Sequence, residues 1–240
     1  IAMLRVFCDF DGTISSEEVG NRLLRHFAGT RAEEIVQGYL TGVMTAADCL
    51  SQECEAAGNV PPEVLAAFVD QFELDPGFSE FVRFCKQKEI PLAILSDGLD
   101  FYVERVLRNH GFDGIPWYAN HLEFKNKDSI TKMIPSFPHS DSECLQCGSC
   151  KRNHMLTMSS DEDIIVYVGD GISDRCPARY ADIVFAKRGL LTYCQQQNIT
   201  FHQFSTFRDV QSRLEIILQQ KRIRKRREAE MARRDAYMQG

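Results

Sequence analysis

The sequence predicts an α/β fold: a parallel sheet flanked by helices, interrupted by an all-helical insertion. Three observations predict it. Short apolar runs bounded by turn residues recur at 4–8, 90–95, 164–168 and 183–186, as buried strands do. Segments with helical apolar spacing alternate with these runs, which implies right-handed crossovers between parallel strands. Between about residues 15 and 74 no strand pattern occurs, and the periodicity is helical throughout.

In order, the first strand, 4–8, ends at two carboxylates, Asp9 and Asp11, followed by Gly12-Thr13. Val19, Leu23, Leu24 and Phe27 then recur at helical spacing, with Ser15 and Ser16 offering an N-cap and Glu17 and Glu18 an acidic first turn. Gly29-Thr30 breaks that helix. Three more periodic segments follow near 32–40, 45–57 and 62–72, separated by Gly42, Gly58-Asn59 and Pro61-Pro62. Pro76-Gly77 marks the return to the sheet. Phe78, Phe81, Val82 and Cys85 form a helix stripe, 90–95 is the second strand and 99–109 the next helix. A short strand near 115–119 and two antiparallel pieces, 120–124 and 130–134, are expected, with a polar turn at 125–128. Residues 137–149 read as loop, 150–159 as helix, 164–168 as strand, 174–180 as helix, 183–186 as strand and 190–197 as helix. Thr206 with Asp209 three residues on caps a last helix, whose stripe is Phe207, Val210, Leu214, Ile217 and Leu218.

The 240 residues, 44% hydrophobic and 26% charged, suffice for one large core with a smaller inserted unit. No apolar run approaches the ~18 residues a membrane span needs. No basic segment followed by a long apolar core marks a secretory leader. The net charge of −6 is uneven: from Gln219 on, eight Lys/Arg face three Asp/Glu, leaving −11 on the rest. An acidic body argues against nucleic acid as the main substrate. Nine cysteines, an odd number mostly in apolar contexts such as Cys8, Cys49 and Cys85, fit reduced cytoplasmic usage rather than a disulfide framework. The expected partner is a small molecule, with neither nucleic acid nor membrane.

Asp9 and Asp11, two apart at a strand end, project to one face, at the edge where open α/β sheets place their ligands. Two close carboxylates repel unless a cation or a shared proton intervenes, and oxygen donors suit Mg²⁺. Ser96-Asp97-Gly98 ends the second strand. Gly169-Asp170-Gly171-Ile172-Ser173-Asp174 ends the strand beginning at Ile164, and Lys151 lies near the start of the helix feeding it. Parallel strands bring these ends to one edge. A hydroxyl, an ammonium and several carboxylates around one point suit phosphoryl transfer, which depends on positioning and charge neutralisation.

Asp9-Phe10-Asp11-Gly12-Thr13, Ser96, Lys151 and 169–174 resemble the four motifs of the haloacid dehalogenase superfamily of phosphatases, over nearly the whole chain to about residue 220. The resemblance implies a Rossmann-like core at 1–14 and 75–220 and an inserted C1 cap at 15–74, as in the phosphoserine phosphatases. Residues 221–240 are left as a basic helical tail. It implies that Asp9 is the nucleophile that becomes an aspartyl phosphate, with Asp11 the general acid and base. Ser96, Asp97, Gly98 and Lys151 would bind phosphate. Mg²⁺ would be held by Asp9, the Asp11 backbone carbonyl, Asp170 and, through water, Asp174. Asp97 and Asp100 also read as helix-capping residues, and Arg152 is a rival to Lys151.

Glu18 stands where the phosphoserine enzymes carry a Glu that meets the substrate amine. However, 45–57 holds no Arg where those enzymes hold the substrate carboxylate. Cys8, 96–101, 147–151 and 204–207 look most like the methionine-salvage branch, which acts on a hydroxy-keto-methylthiopentene (diketo-methylthiopentane) phosphate. Phosphoserine and phosphocholine/phosphoethanolamine phosphatases are the alternatives within the family. From another class, a non-catalytic binding or regulatory module would use the cysteine-rich loop and basic tail. That reading predicts broken motifs, and none is broken.

Cys144, Cys147, Cys150 and His154 form C-x2-C-x2-C-x3-H. These are zinc-ligand types, yet zinc spacings come as separated pairs, not as a crowded triplet. A reduced, tightly turned loop is the favoured reading, with a zinc site or a redox-sensitive cysteine pair left as alternatives. The tail, 221–234, reads as a solvated helix extension rather than a nucleic-acid arm.

Overall fold

Runs rich in Val, Ile and Leu make strands that are covered on both faces, as parallel sheets require. The computed structural model describes residues 3–141 and 147–239, in which seven strands and eleven helices form two compact units. The first unit holds 3–14, 74–95 and 151–239; the second holds 15–73 and 96–150.

In the first unit β1 (Leu4–Cys8) pairs in parallel with β2 (Leu92–Leu99) on one side and β5 (Ile164–Gly169) on the other. β6 (Ile183–Ala186) and β7 (His202–Gln203) extend the order to β2-β1-β5-β6-β7, and β2 continues past Leu95 into the second unit. Every residue of β5 and β6 is buried. The register sets Cys8 opposite Ile94 and Val168, and Val168 opposite Phe185, so the polar residues that follow each strand emerge level. Helices α5 (Phe78–Gln87) and α10 (Phe207–Leu218) pack through Phe78, Phe81 and Phe207, with ring centroids 5.0 Å apart in both pairs. Buried Asp75 ties their starts together: its Oδ1 accepts the N–H of Gly77 at 2.8 Å and of Phe207 at 3.0 Å. The expected Thr206–Asp209 capping box is present.

The remaining helices of this unit are α7 (Lys151–Thr157), α8 (Arg175–Tyr180), α9 (Arg188–Gln196) and α11 (Arg227–Gln239). α11 lies against α8. Arg233 donates to Asp182 Oδ1 at 3.0 Å and to the Tyr180 carbonyl at 2.6 Å, and the Tyr237 hydroxyl donates to the Leu156 carbonyl at 3.0 Å. The solvated extension expected for the tail is therefore corrected: Ala229 and Arg233 are buried. Asp182 is buried too, and a buried carboxylate requires a cationic or N–H partner.

The second unit contains α1 (Val19–Ala28), α2 (Thr30–Leu40), α3 (Ala46–Ala57), α4 (Pro62–Val69), α6 (Asp100–Asn109) and the antiparallel pair β3 (Trp117–Lys127) and β4 (Ile130–Ser136). Asp70, just after α4, accepts from Arg105 at 2.6 and 2.7 Å and from Asn109 at 2.6 Å, which fastens α4 to α6. Two local expectations fail. α1 begins at Val19 with Glu18 as N-cap and no side-chain capping bond, because Ser15 Oγ donates instead to the Glu17 carbonyl at 2.7 Å. The pieces expected at 115–119 and 120–124 are one strand. Its turn is Asp128-Ser129, where both φ angles are positive (52° and 64°), the conformation of a two-residue hairpin loop. Among the described residues no helix is long and apolar enough to cross a membrane.

Candidate active site

The level ends of β1 and β5 assemble the first unit's polar centre. Asp9 N–H donates to the Val168 carbonyl at 2.9 Å, which sets Asp9 beside Gly169-Asp170. The chain after β5 then doubles back at Asp174, the N-cap of α8. Asp174 Oδ2 accepts the N–H groups of Asp170 (2.8 Å) and Gly171 (2.9 Å). Its Oδ1 accepts from the Tyr167 hydroxyl (2.5 Å) and Lys151 Nζ (2.7 Å). Four donors satisfy this fully buried carboxylate, so Asp174 fixes the loop and orients Lys151. Gly169 makes the turn sterically feasible, since a Cβ there would stand 2.6 Å from Asp174 Cγ.

Lys151, 1% exposed at the start of α7, also reaches Asp9 Oδ1 at 2.5 Å and Ser173 Oγ at 3.0 Å. Burial alone would lower its pKa, but Asp174 and Asp9 outweigh burial and hold it above the ordinary value, so the ammonium stays charged. Asp9 is pushed upward by burial first and by Asp174 next, with Lys151 opposing both. The net push on Asp9 is upward, and Lys151 is the cation that favours its ionised form. Burial and Asp174 also raise the pKa of Tyr167, which keeps its hydroxyl a donor.

Asp170 is held from two sides. Thr13 Oγ1 donates to Oδ1 at 3.2 Å and Arg188 Nη1 to Oδ2 at 2.9 Å. Gly12 lies beneath that guanidinium with φ +69°, and a Cβ there would come within 2.5 Å of Arg188 Nη1. Asp11 is half-buried in the turn Phe10–Ile14, where its backbone is extended, with φ −68° and ψ 122°. Carboxylate oxygens of Asp9, Asp170 and Asp174 lie within 4.8 Å of one another, the only metal-competent group of this kind among the described residues. Buried oxygen donors with a net negative charge fit a hard divalent cation such as Mg²⁺.

Of the residues expected at the site, Asp9, Lys151, Asp170 and Asp174 are thus in mutual reach within one unit. Ser96, Asp97, Gly98 and Glu18 belong to the second unit. Ser96 is buried and its Oγ accepts the Gly98 N–H at 3.0 Å. Asp97 Oδ1 accepts the N–H groups of Gly148 and Ser149, both at 2.8 Å, and Asn120 Nδ2 donates to the Asp97 carbonyl at 2.8 Å. Glu18 is exposed. Cys147 is half-buried and Cys150 buried, and Cys144 lies outside the described residues.

Sequence reasoning assigned no role to Tyr167, Thr13 or Arg188. Tyr167 is hidden in an apolar run. Thr13 stands inside the quoted motif. Arg188 follows β6, another strand end on the same edge, so the rule that pointed to Asp9 and Asp170 would have pointed there too.

Residues 6–179 match the family described as haloacid dehalogenase-like hydrolase. A 2-hydroxy-3-keto-5-methylthiopentenyl-1-phosphate phosphatase of Bacillus cereus is 32% identical over 224 residues, covering 91% of this chain and 99% of the relative. Its counterpart from Bacillus thuringiensis is 31% identical over the same shares. Among solved structures, a phospho-aspartyl intermediate analogue of phosphoserine phosphatase matches with TM-score 0.65 at 17% identity, over 90% of this chain and 99% of that one. A substrate-bound phosphoserine phosphatase matches with TM-score 0.64 at 16% identity, over 89% and 99%. At those identities the likeness concerns the fold.

Proposed function

The chain belongs to the haloacid dehalogenase-like hydrolases and is a phosphoric monoester hydrolase, and we propose that its substrate is 2-hydroxy-3-keto-5-methylthiopentenyl 1-phosphate, cleaved through a phosphorylated Asp9. The observation that carries the chemistry is the buried bridge of Lys151 between Asp9 and Asp174, beside Asp170. It sets a cation against the upward push of burial on Asp9, which favours the ionised carboxylate a nucleophile needs.

Asp9 attacks phosphorus, and the bond from phosphorus to the ester oxygen breaks. Asp11 gives its proton to the departing alkoxide and then takes one from the water that attacks the aspartyl phosphate. Inorganic phosphate leaves and Asp9 is regenerated. Lys151 neutralises charge on the phosphoryl oxygens while Asp174 holds it in place. Mg²⁺, held by Asp9, Asp170 and the Asp11 carbonyl, would supply further charge neutralisation in the phosphoryl transfer. The family resemblance assigns phosphate contacts to Ser96, Asp97 and Gly98 and substrate contact to Glu18, and these remain part of the proposal.

The substrate rests on the 32% identity across almost the whole relative. It also rests on α3, which holds neither Arg nor Lys to meet a substrate carboxylate. A cytoplasmic setting belongs to the same reading, and an odd number of cysteines, nine, mostly in apolar contexts, suits it. The test is phosphate release from a panel of phosphorylated metabolites with and without Mg²⁺. The proposed substrate should lead phosphoserine by at least ~100-fold in kcat/KM, corresponding to about 2.7 kcal/mol. Phosphoserine at the head of the panel would contradict it.

A further inference from the structure

The cation-rich segment after α10 takes no part in this chemistry. It leaves Leu218 and ends at Arg226, whose N–H donates to Asp182 Oδ1 at 3.2 Å. Arg226 Nη2 donates to the carbonyls of Ala178 (2.7 Å) and Arg179 (2.6 Å). α11 secures the far side through Arg233, which shares Asp182. Residues 219–226 are therefore a strap pinned at both ends.

The strap borders a cavity of about 840 Å³. Its apolar lining includes Leu4 and Ile164, the first residues of β1 and β5. Its charged lining is Lys221, Arg222, Arg224 and Lys225, against a single acid, Glu230. Lys225 Nζ donates to the Asp161 carbonyl, whereas Lys221, Arg222 and Arg224 make no ion pair among the described residues. β1 and β5 begin at this cavity and end at Asp9 and Asp170, so the catalytic carboxylates lie at the opposite edge of the sheet, about 17 Å away along β1.

We infer that this cavity is a second ligand site, which takes a small polyphosphate anion. Four cations against one acid exceed what a singly charged ligand would neutralise. Lys and Arg together are the side chains that hold phosphate oxygens, Arg through paired N–H donors. The volume falls in the range of small-molecule sites, about 300–1,000 Å³. Because the strap is anchored through Arg226 and Arg233, ligand binding orders little that is not already ordered. The rest of the chain carries −11, so its field repels anions elsewhere and favours this end.

The test is titration calorimetry of the full chain with tripolyphosphate in metal-free buffer, where ion-assisted binding of phosphate at Asp9 is absent. One saturating site is expected. Lys221→Gln/Arg222→Gln/Arg224→Gln should weaken it at least ~10-fold, with unchanged melting temperature and unchanged hydrolysis of an aryl phosphate. Asp9→Asn should leave tripolyphosphate binding intact. Should the triple variant not fold, Arg222→Gln alone, at an exposed side chain, should weaken binding in the same direction. Absence of saturable heat overturns the inference, and so does binding that survives these substitutions or is lost with Asp9→Asn. Binding of a short DNA duplex without binding of tripolyphosphate overturns it as well.

Discussion

Replacing Lys151 by Met removes the ammonium that lies 2.5 Å from Asp9 and 2.7 Å from Asp174 while leaving a side chain of similar length. Both carboxylates are almost wholly buried, and breaking a buried pair from one side costs about 3–5 kcal/mol. The loss should depend on pH. Lys151 is the cation that opposes the upward push on Asp9, so without it the Asp9 pKa rises further in the folded state. A carboxyl raised on folding contributes stability at low pH that is lost as pH rises through its folded pKa. The deficit of Lys151→Met should therefore be larger at pH 8 than at pH 5. Urea unfolding at the two pH values measures it. Phosphate release should fall by about 10²–10³, the usual effect of deleting one preorganised donor. Equal stability of variant and parent at pH 8, together with retained turnover, would refute the assignment of Lys151 as the charge that opposes protonation of Asp9.

Two further outcomes are expected. Glu53 is buried in α3 beside Cys49, 3.5 Å away, and burial pushes its carboxyl up to about 7 from an ordinary 4.5. Stability from this site is full below about pH 4.5 and is lost as pH rises toward 7, by about 3 kcal/mol at most. Glu53→Gln should flatten that part of the stability–pH curve, and an unchanged curve from urea melts would exclude the effect. Arg233→Ala should leave Asp182 with less compensation and loosen α11, at a cost of about 3–5 kcal/mol. Hydrogen exchange should quicken in 227–239, and full protection there would argue against the Asp182 anchor.

What could be read from the sequence follows from how local each cause is. Asp9 and Asp170 were legible because an apolar strand running into carboxylates is a pattern of a few neighbouring residues, and parallel strands align such ends without further information. The Thr206–Asp209 cap is equally local and was read correctly. The α1 cap failed because Ser15 turned its hydroxyl to the Glu17 carbonyl, a choice made between two short-range bonds of similar worth. The hairpin turn was displaced because the polar stretch 125–127 continues the strand, while positive φ at Asp128 and Ser129 leaves no mark in hydropathy. β7 has two residues, too few for any periodicity. The docking of the tail was invisible for a different reason. The partners of Arg226 and Arg233 lie 44 to 53 positions earlier, so a run of charges could not reveal which would be buried.

The central claim is that phosphate passes through Asp9. It is tested most directly by mixing enzyme with the methylthiopentenyl phosphate, quenching in acid within one turnover, and reducing with borohydride, which converts an aspartyl phosphate to homoserine. Peptide mass spectrometry should find homoserine at position 9 in the parent and none in Asp9→Asn. An enzyme that turns over at full rate with Asp9 unmodified at every quench time, or with the mark on another carboxylate, would contradict the account.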